Sequence, residues 1–518
     1  MEVDDQNTTT ETNQSESHGR SSTLASVSRG AGLFLVGKGA DNALRFGLNI
    51  VLTRGLGEGL FGVYSYGYVI LSIVRTVTNL GTDTSILKFL PQYSGQQSKQ
   101  NQMLGLALLT SLVGSLLISG FIFLGAPFIT RLTLKNPLLT DVLRILALVL
   151  PFTTVSNILQ TVFKALELPE YQVLLMNIVT PAVRLLFIAV PIFLGYKLLD
   201  VVAAGVAAGI VVFVATVSLF ASRTTFQPTL RGSRGDIVEF YNYSLPLTLT
   251  QAGAILANRI DLLMVGIFIS QGSTVGIYKA ALVVAGMLVL PLSAFNQIFP
   301  PVASRLYTNG KMTELQSLYQ QLTRWIFTVA LFLALGAIVY SKEILFIFGE
   351  GYTDGSSILV LFTLGQLANA AVGPSGFLLM MTDHQYLSLV NRWGLGILNV
   401  ICNYVFIQEF GVIGAALATA SVLALINFAR VAEVWYTEGL FPYSRRFIKP
   451  IVAGIGAGLI MYGLRSVLSG YALLVVGGGV GFCVFGALLL TAGIEEEDYE
   501  FFSMCISYVR DTSDSSHG

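Results

Sequence analysis

The chain has 518 residues, of which 53% are hydrophobic and only 12% are charged. Soluble domains carry about twice that charged fraction, so the composition argues against an ordinary soluble enzyme and is typical of a membrane protein with apolar lipid-facing surfaces. Thirty basic and thirty acidic residues give a formal net charge of zero, which does not indicate a nucleic-acid partner, and the three scattered cysteines predict neither a disulfide framework nor a metal site.

The N-terminal segment differs from the rest of the chain. Residues 1–27 are polar, acidic and poor in apolar side chains, which predicts a disordered tail. No basic stretch followed by an apolar stretch is present there, so the segment does not resemble a signal peptide. The first apolar segment is therefore expected to remain in the membrane.

The apolar segments predict about fourteen transmembrane helices, because about 20 apolar residues are needed to cross the hydrocarbon core. The predicted fold class is an all-α integral membrane protein with two six-helix lobes and a C-terminal helix pair. The predicted spans lie near 29–53, 59–82, 103–129, 142–165, 171–195, 200–222, 244–269, 274–300, 321–341, 356–381, 387–408, 411–435, 450–467 and 471–493. The corresponding predicted domains are an N-lobe at 28–222, a cytoplasmic linker at 223–243, a C-lobe at 244–435, the helix pair at 450–493 and a cytoplasmic tail at 494–518.

Lysine and arginine in the connections predict the orientation. With a cytoplasmic N-terminus, fourteen of these residues fall on the cytoplasmic side and six on the other side. Cytoplasmic loops carry the excess of positive charge, so both termini are expected in the cytoplasm of a cell that holds the protein in its plasma membrane.

An internal repeat relates the two predicted lobes. With an offset of 214 residues, several positions match without a gap, and the offset covers an even number of spans, so both copies keep the same orientation. Parallel repeats of this kind predict two lobes around a central cavity. The matching pairs are Arg45 and Arg259, Leu48 and Leu262, Val51 and Val265, Gly62 and Gly276, and Tyr64 and Tyr278.

Ionisable residues inside the predicted spans are the candidate functional residues, because each must face a cavity or a partner. The first candidates for substrate binding are Arg45 and Arg259, which lie deep in their spans at equivalent repeat positions. Three further cations, Lys38, Arg75 and Lys279, are candidates closer to the span ends, and Arg184 and Arg392 are weaker ones.

Two carboxylates accompany these cations. Asp41 and Asp261 are possible ion-coupling residues. The spacing of Lys38, Asp41 and Arg45 also fits a structural ion pair within one helix, and snorkelling to the interface would satisfy Lys38 or Arg75. Seven cations against two carboxylates leave about five positive charges uncompensated in apolar surroundings. An anionic lipid phosphate or diphosphate would neutralise them through charge-assisted hydrogen bonds.

No cofactor is predicted. The segment GLFLVGKG at 32–39 lacks the Ser or Thr that binds Mg²⁺ in a phosphate-binding loop, and it lies inside a span. The glycine pattern that begins at Gly57 joins two membrane helices, so it predicts a tight hairpin instead of a dinucleotide site.

The stretch from GLFLVGKG to KFLPQY resembles the opening of the polysaccharide transporters, the Wzx-type oligosaccharide flippases. A hairpin pattern carries this resemblance, together with VIGAALATASV at 412–422, and the likeness covers residues 24–495. The hairpin residues are Leu52, Arg54, Leu56, Gly57, Phe61, Gly62, Tyr64 and Ser65.

The resemblance implies the two-lobed fold of the multidrug/oligosaccharidyl-lipid/polysaccharide (MOP) exporter superfamily. It implies a non-enzymatic flippase that moves a polyprenyl- or dolichyl-linked glycan by alternating access for surface glycan or glycoprotein assembly. The implied partners are the lipid-linked glycan with its anionic phosphate headgroup, membrane lipids and glycosyltransferases of the same pathway. The acidic tail suggests an archaeal member.

Two alternatives remain open at this stage. The first is an ion-coupled small-solute or drug antiporter of the same superfamily, for which Asp41 or Asp261 would serve as the coupling carboxylate. The second is a membrane-embedded glycosyltransferase or polymerase, although the predicted external loops are short for one.

Overall fold

A computed structural model describes the backbone of residues 6–493 and the side chains of 37–493, apart from those at 77, 249–250, 252, 254, 256–258, 298 and 385. Every regular element within 6–493 is a helix, as the fold class predicts. In the first part of the chain these are α1 (Gln6–Thr78), α2 (Thr82–Gln92), α3 (Gln97–Leu132), α4 (Pro137–Ala165), α5 (Pro169–Val173), α6 (Thr180–Phe193), α7 (Leu198–Arg223) and α8 (Arg234–Phe268).

The remaining helices follow in the same manner, with short 3-10 or π turns between several of them. They are α9 (Gly272–Ala285), α10 (Leu290–Thr308), α11 (Met312–Val339), α12 (Ser341–Phe346), α13 (Ser356–Ala371), α14 (Ser375–Met381), α15 (Gln385–Glu438), α16 (Ile448–Leu464), α17 (Gly470–Ala472) and α18 (Gly478–Thr491). Helix α1 begins inside the segment for which disorder is predicted, and the disorder of 1–27 stays a prediction. The predicted tail at 494–518 lies outside the described residues.

Ten helical segments among the described residues are long and apolar enough to cross a membrane. One of them, Tyr386–Glu438, has 53 residues. A straight helix of that length would extend about 80 Å, more than twice the hydrocarbon thickness. Gly411 divides it with φ 60° and ψ −139°, and Gly57 divides α1 in the same way with φ 70°. The multi-pass helical membrane fold is confirmed, and the count of fourteen spans stays a prediction.

Local sequence explains several helix boundaries. At the start of α4, the Asn136 side chain accepts a hydrogen bond from the Leu138 N–H and Pro137 occupies the first turn, where its missing N–H costs nothing. Between α5 and α6 the chain forms a π-helical turn at Leu174–Val179. Such a turn inserts an extra residue and changes the direction in which the following side chains point.

Contacts divide the chain into two compact units. The first unit comprises residues 1–283, 347–358 and 384–422, and the second comprises 284–346, 359–383 and 423–518. These bounds differ from those of the lobes predicted from the repeat, and the lobes stay a prediction.

In the first unit, two glycines related by the repeat pack directly against each other's helix. A Cβ at Gly62 would overlap the carbonyl oxygen of Gly272, and a Cβ at Gly276 would overlap the carbonyl oxygen of Glu58. Glu58 and Gly272 are also 214 residues apart, so the contact is reciprocal. Glycine is required here because only a hydrogen atom fits between the two backbones.

A buried apolar cluster joins α2, α3, α4 and α8 in the first unit, and Phe89, Phe163 and Phe240 are central to it. At its edge the Tyr93 hydroxyl donates to Glu239 Oε2 at 3.0 Å. Burial, followed by the hydrogen bond to this carboxylate, raises the pKa of Tyr93. The cluster packs α8, the helix that carries Arg259 and Asp261, against α2, α3 and α4.

In the second unit, α16 and α18 pack together and against α11. Ala453, Ala457 and Phe485 are buried in this contact, and a Cβ at Gly454 would press on the Leu331 side chain. Small residues of this kind permit close helix approach in lipid. Close packing of these small residues therefore holds α16 and α18 against α11.

Candidate functional site

The charged residues at the start of the described part of α1 form one compact ion-pair group. Lys38 Nζ lies 3.0 Å from Asp41 Oδ2, and Arg45 Nε donates to Asp41 Oδ1. The Asp41 side chain is 4% exposed, whereas the Lys38 and Arg45 side chains are 44% and 53% exposed. Both cations are thus held by one buried carboxylate, the arrangement that their spacing predicts, and one positive charge remains.

Arg75, on the last turn of α1, lies at the centre of a cationic cluster. Arg45, Arg184 and Arg259 all lie within Coulombic range of it. The Arg75 and Arg259 side chains are both exposed, so a ligand can reach them. The structure thus brings together three cations that the sequence predicts as site residues and adds Arg184.

Arg184 is held by two tyrosines of α1. Its guanidinium lies 4.1 Å from the centroid of the Tyr68 ring, and its Nη2 donates to the Tyr64 hydroxyl at 3.3 Å. The Tyr64 and Tyr68 ring centroids are 4.5 Å apart, so the rings form one aromatic wall. The Arg184 Nε is buried and has no hydrogen-bond partner among the described residues. An aromatic face stabilises a cation without neutralising it, so this arginine keeps its charge available to an anion.

Asp261, on α8, lies in different surroundings from Asp41. Its side chain is buried, accepts a hydrogen bond from the Tyr278 hydroxyl at 3.0 Å and accepts another from the Leu262 N–H at 2.8 Å. Lys279 and Arg259 lie within Coulombic range of it. The carboxylate is therefore partnered mainly by neutral donors, and two cations stand nearby.

A polar network extends from Asp261 into α15. The Thr419 hydroxyl lies within hydrogen-bonding range of both the Tyr278 hydroxyl and, at 3.4 Å, Asn399 Oδ1, and its single proton can be donated to one of them at a time. Asn403 continues the network by donating from Nδ2 to the Asn399 carbonyl oxygen at 2.8 Å. Tyr278, Asn399 and Asn403 are all buried. Burying polar groups in a membrane helix bundle costs free energy, so such groups are often functional. The carboxylate, hydroxyl and amide oxygens of this network are the kinds of atom that bind a small hard cation.

The sequence analysis named most of the residues that these two groups contain, and their role as a site stays a prediction. It named Lys38, Asp41, Arg45, Arg75, Arg259, Asp261 and Lys279, and gave little weight to Arg184. It did not name Tyr278 as the partner of Asp261, nor Thr419 and Asn399 as further members of the same network. The repeat matches Tyr278 to Tyr64, and this match was the signal in the sequence that could have identified it. Arg392 is exposed and forms no part of these groups as described.

No group of three or more His, Cys, Asp or Glu side chains that could hold a metal ion occurs within the described residues. The site is instead divided into two chemical parts. One part consists of Arg45, Arg75, Arg184 and Arg259, here named the cationic cluster. The other consists of Asp261, Tyr278, Thr419, Asn399 and Asn403, here named the aspartate network.

Comparison with known proteins places these features in a family. The model of a family described as "Polysaccharide biosynthesis protein" matches residues 27–307, which include the cationic cluster. A relative in Haloferax volcanii, named "Probable low-salt glycan biosynthesis flippase Agl15", is 25% identical over 300 residues. The match covers 55% of this chain and 59% of the relative, so it spans less than two thirds of that protein's length. The source of the relative agrees with the archaeal origin predicted from the acidic tail.

Two solved structures with a similar fold are both transporters. The lipid II flippase MurJ, in an inward closed conformation, has a TM-score of 0.69 and 16% identity, with 88% of this chain and 97% of MurJ covered. An inward-facing multidrug resistance MATE family transporter of the MOP superfamily has a TM-score of 0.62 and 14% identity, with 77% and 94% covered. At these identities the likeness establishes the fold alone, which is the MOP fold that the sequence predicts.

Proposed function

Because this chain belongs to the polysaccharide biosynthesis protein family, we propose that it is a flippase for a lipid-linked glycan. The substrate is a polyprenyl- or dolichyl-linked sugar or oligosaccharide with a phosphate or diphosphate, moved across the cytoplasmic membrane by alternating access. The single observation that carries this proposal is the cationic cluster around Arg75. The name of the Haloferax relative supports the same function.

The chemistry of the cluster suits an anionic headgroup. Arginines this close together repel each other, so the cluster without an anion is electrostatically costly and a bound anion lowers that cost. Guanidinium groups bind phosphate oxygens with two parallel hydrogen bonds. The cluster would thus recognise the phosphate, the part that all such substrates share. Transport of this kind needs no catalytic residue.

The aspartate network supports a proposal about coupling. Asp261 is the ion-coupling residue. It binds Na⁺ or H⁺ in exchange for the hydrogen bond that it accepts from Tyr278. Asp41 is less suited to this role because Lys38 and Arg45 already compensate its charge. An ion-coupled small-solute or drug antiporter is the second candidate function. The buried Asp261 is the observation that favours it, since such an antiporter needs a carboxylate that exchanges between two ligands.

The protein is expected to lie in the plasma membrane with both termini in the cytoplasm. The excess of lysine and arginine on one set of connections supports this orientation. Glycosyltransferases that build the lipid-linked glycan are the expected partners on that side.

The test is to disrupt the gene and to measure lipid-linked and protein-linked glycans by mass spectrometry. The expected result is that lipid-linked precursors persist while mature surface glycans are lost. Complementation with wild type should restore the glycans, and Arg75→Gln should not. Arg231→Gln, an exposed cation in the connection before α8, is the matched control and should restore them.

Two outcomes would contradict the proposal. If the precursors themselves are shortened, the protein acts in glycan synthesis. If both pools are normal and the disrupted strain becomes sensitive to a cationic drug, the antiporter function is correct instead.

A further inference from the structure

One arginine lies in the contact between α3 and α4 and belongs to neither the cationic cluster nor the aspartate network. Two hydrogen bonds set the register of this antiparallel pair of helices. Ser119 Oγ donates to the Ala147 carbonyl oxygen at 2.6 Å, and Thr140 Oγ1 donates to Thr130 Oγ1 at 3.0 Å. Arg144 lies between these two levels, about one helical turn from each along α4. Its position is therefore set by the same contact that joins the two helices.

The charge of Arg144 is held against an aromatic ring and is not neutralised by the protein. Its Cζ atom lies 5.7 Å from the centroid of the Phe123 ring on α3. Its Nε is buried without a hydrogen-bond partner, and its side chain makes no hydrogen bond or ion pair with any described residue. This includes Asp141, the exposed carboxylate one turn earlier on α4. An aromatic face stabilises a cation without neutralising it, so a positive charge remains here.

The surface around this arginine is otherwise apolar. The sequence has no charged residue between Lys99 and Arg131 on α3, and none between Arg144 and Lys164 on α4. Both helices are among the segments that are long and apolar enough to cross a membrane. Exposed apolar side chains follow along both of them, among them Phe123, Leu124, Phe128 and Leu148. Such a surface faces lipid, and Arg144 is a lone cation on it.

Arg144 also lies close to the level of the lipid headgroups. The predicted span of α4 begins near residue 142, so the Arg144 backbone is about 3 Å inside the hydrocarbon region and its long side chain can reach the headgroups. A charge on a lipid-facing surface is costly unless water or a partner compensates it. A lipid phosphate supplies the compensating charge at this level, and the acyl chains of the same lipid cover the apolar side chains. The excess of lysine and arginine on the other connections predicts that this end of the two helices faces the outside.

We propose that Arg144 and Phe123 form a site for the phosphate of an anionic lipid in the outer leaflet. The Nη groups of the guanidinium donate to two phosphate oxygens, and the Phe123 ring holds the guanidinium in place. The acyl chains lie along Leu124 and Leu148. The inference does not depend on what the protein transports. Free inorganic phosphate shares the same chemistry, and the experiment separates the two sources.

The experiment uses Phe123→Trp as a reporter beside Arg144, because indole binds a cation at least as well as phenyl does. The full chain is reconstituted in phosphatidylcholine nanodiscs that contain a small fraction of brominated phosphatidylglycerol or of brominated phosphatidylcholine. Bromine quenches tryptophan fluorescence on contact, and the chain without the reporter supplies the quenching of the three native tryptophans. The reporter should reach half of its maximal quenching at about a tenfold lower fraction of the anionic lipid than of the zwitterionic one. A tenfold preference corresponds to about 1.4 kcal/mol, the scale of one hydrogen bond to a charged group.

Two variants of the arginine test its role in the reporter chain. Arg144→Gln should abolish the preference for the anionic lipid. Arg144→Lys separates charge from packing, because it keeps the positive charge and loses the planar guanidinium, and it should retain part of the preference.

Two controls are matched to these changes. Arg131→Gln removes an exposed cation at the end of α3 and should leave the preference unchanged. Leu112→Trp moves the reporter to another exposed position of α3, about 17 Å along the helix axis from Phe123, and should show no preference between the two lipids.

Four results would overturn the proposal. Equal quenching by the two lipids in the reporter chain would mean that no anionic lipid binds beside Arg144. A preference that persists in Arg144→Gln would assign the binding to other residues. Equal losses in Arg144→Gln and Arg131→Gln would mean that only the general charge of the outer surface attracts the lipid. Loss of the preference in millimolar inorganic phosphate, at constant ionic strength, would assign the site to a soluble phosphate instead of a lipid.

Discussion

Two tyrosines at equivalent positions of the internal repeat bind partners of opposite charge. Tyr64 accepts a hydrogen bond from the Arg184 guanidinium at 3.3 Å, whereas Tyr278 donates to the Asp261 carboxylate at 3.0 Å. A phenol hydroxyl can do both, because it has one proton to donate and lone pairs to accept. The same scaffold residue thus supports a cation in one copy of the repeat and an anion in the other.

The difference indicates how a duplicated structure acquires two tasks. Around Tyr64 the protein presents positive charge, which suits an anionic headgroup. Around Tyr278 it presents a carboxylate with hydroxyl and amide oxygens, which suits a small cation. A transporter that binds substrate at the cationic cluster and an ion at the aspartate network can couple the two. The following predictions test that division, beginning with the largest expected effect.

The contact between the two copies is tested with Gly62→Ala. The added methyl group overlaps the carbonyl oxygen of Gly272, and backbone cannot move aside as a side chain can. We expect a destabilisation of about 1–3 kcal/mol or more, seen as a lower yield of monodisperse protein and a lower melting temperature. Gly47→Ala is the control, because nothing lies within 4 Å of a Cβ at Gly47. Equal behaviour of the two variants would contradict the close contact.

The anionic half is tested with Asp261→Asn. Glycan-lipid transport in proteoliposomes should lose its response to an imposed Na⁺ or H⁺ gradient, a decrease of about tenfold, because the neutral amide neither binds the cation nor exchanges a proton in the same range. Asp41→Asn, which removes the carboxylate of the ion-pair group, should retain the response. If Asp41→Asn abolishes the response and Asp261→Asn retains it, the assignment of the coupling residue is wrong.

The cationic half is tested with Arg184→Gln. Binding of a polyprenyl-diphosphate should weaken about tenfold, measured by the KM for the lipid-linked substrate, because one charge-assisted contact to the headgroup is lost. The ion response should be unchanged. Arg184→Lys should restore part of the affinity, since it keeps the charge but loses the planar group that stacks on Tyr68. An unchanged KM in Arg184→Gln would remove this arginine from the site.

Replacing either tyrosine by phenylalanine should have the smallest functional effect. Tyr64→Phe removes one hydrogen bond from Arg184, and Tyr278→Phe removes one from Asp261. Each change is worth about 1 kcal/mol, or a few fold. The first should alter only the KM for the lipid-linked substrate, and the second should alter only the ion concentration that gives half-maximal transport. Both variants changing the same parameter would mean that the two copies share one task.

Much of the fold follows from the sequence. Membrane helices need long apolar segments, so composition alone predicts an all-helical membrane protein, and glycines at 57 and 411 mark turns inside long apolar stretches. The ion-pair group of Lys38, Asp41 and Arg45 was also predictable, because all three lie on one helix with regular spacing. Within a single helix, sequence distance and spatial distance correspond.

The rest of the site was harder to predict, because its parts come from different helices. Arg184 follows the π turn at Leu174–Val179, and this extra residue rotates every later side chain of α6 relative to a regular helical pattern. Its place beside Tyr64 therefore cannot be obtained from periodicity. The partners Thr419 and Asn399 lie on either side of the turn at Gly411 and more than a hundred residues from Asp261. No local pattern connects residues at that separation.

The reciprocal contact of Gly62 and Gly276 also has an evolutionary consequence. Each glycine faces the main chain of the other copy, and a main-chain carbonyl cannot be replaced by mutation. A second substitution therefore cannot compensate for a larger side chain at either position. Homologues that keep this helix contact should keep glycine at both positions, including those in which the residues of the cationic cluster or the aspartate network differ.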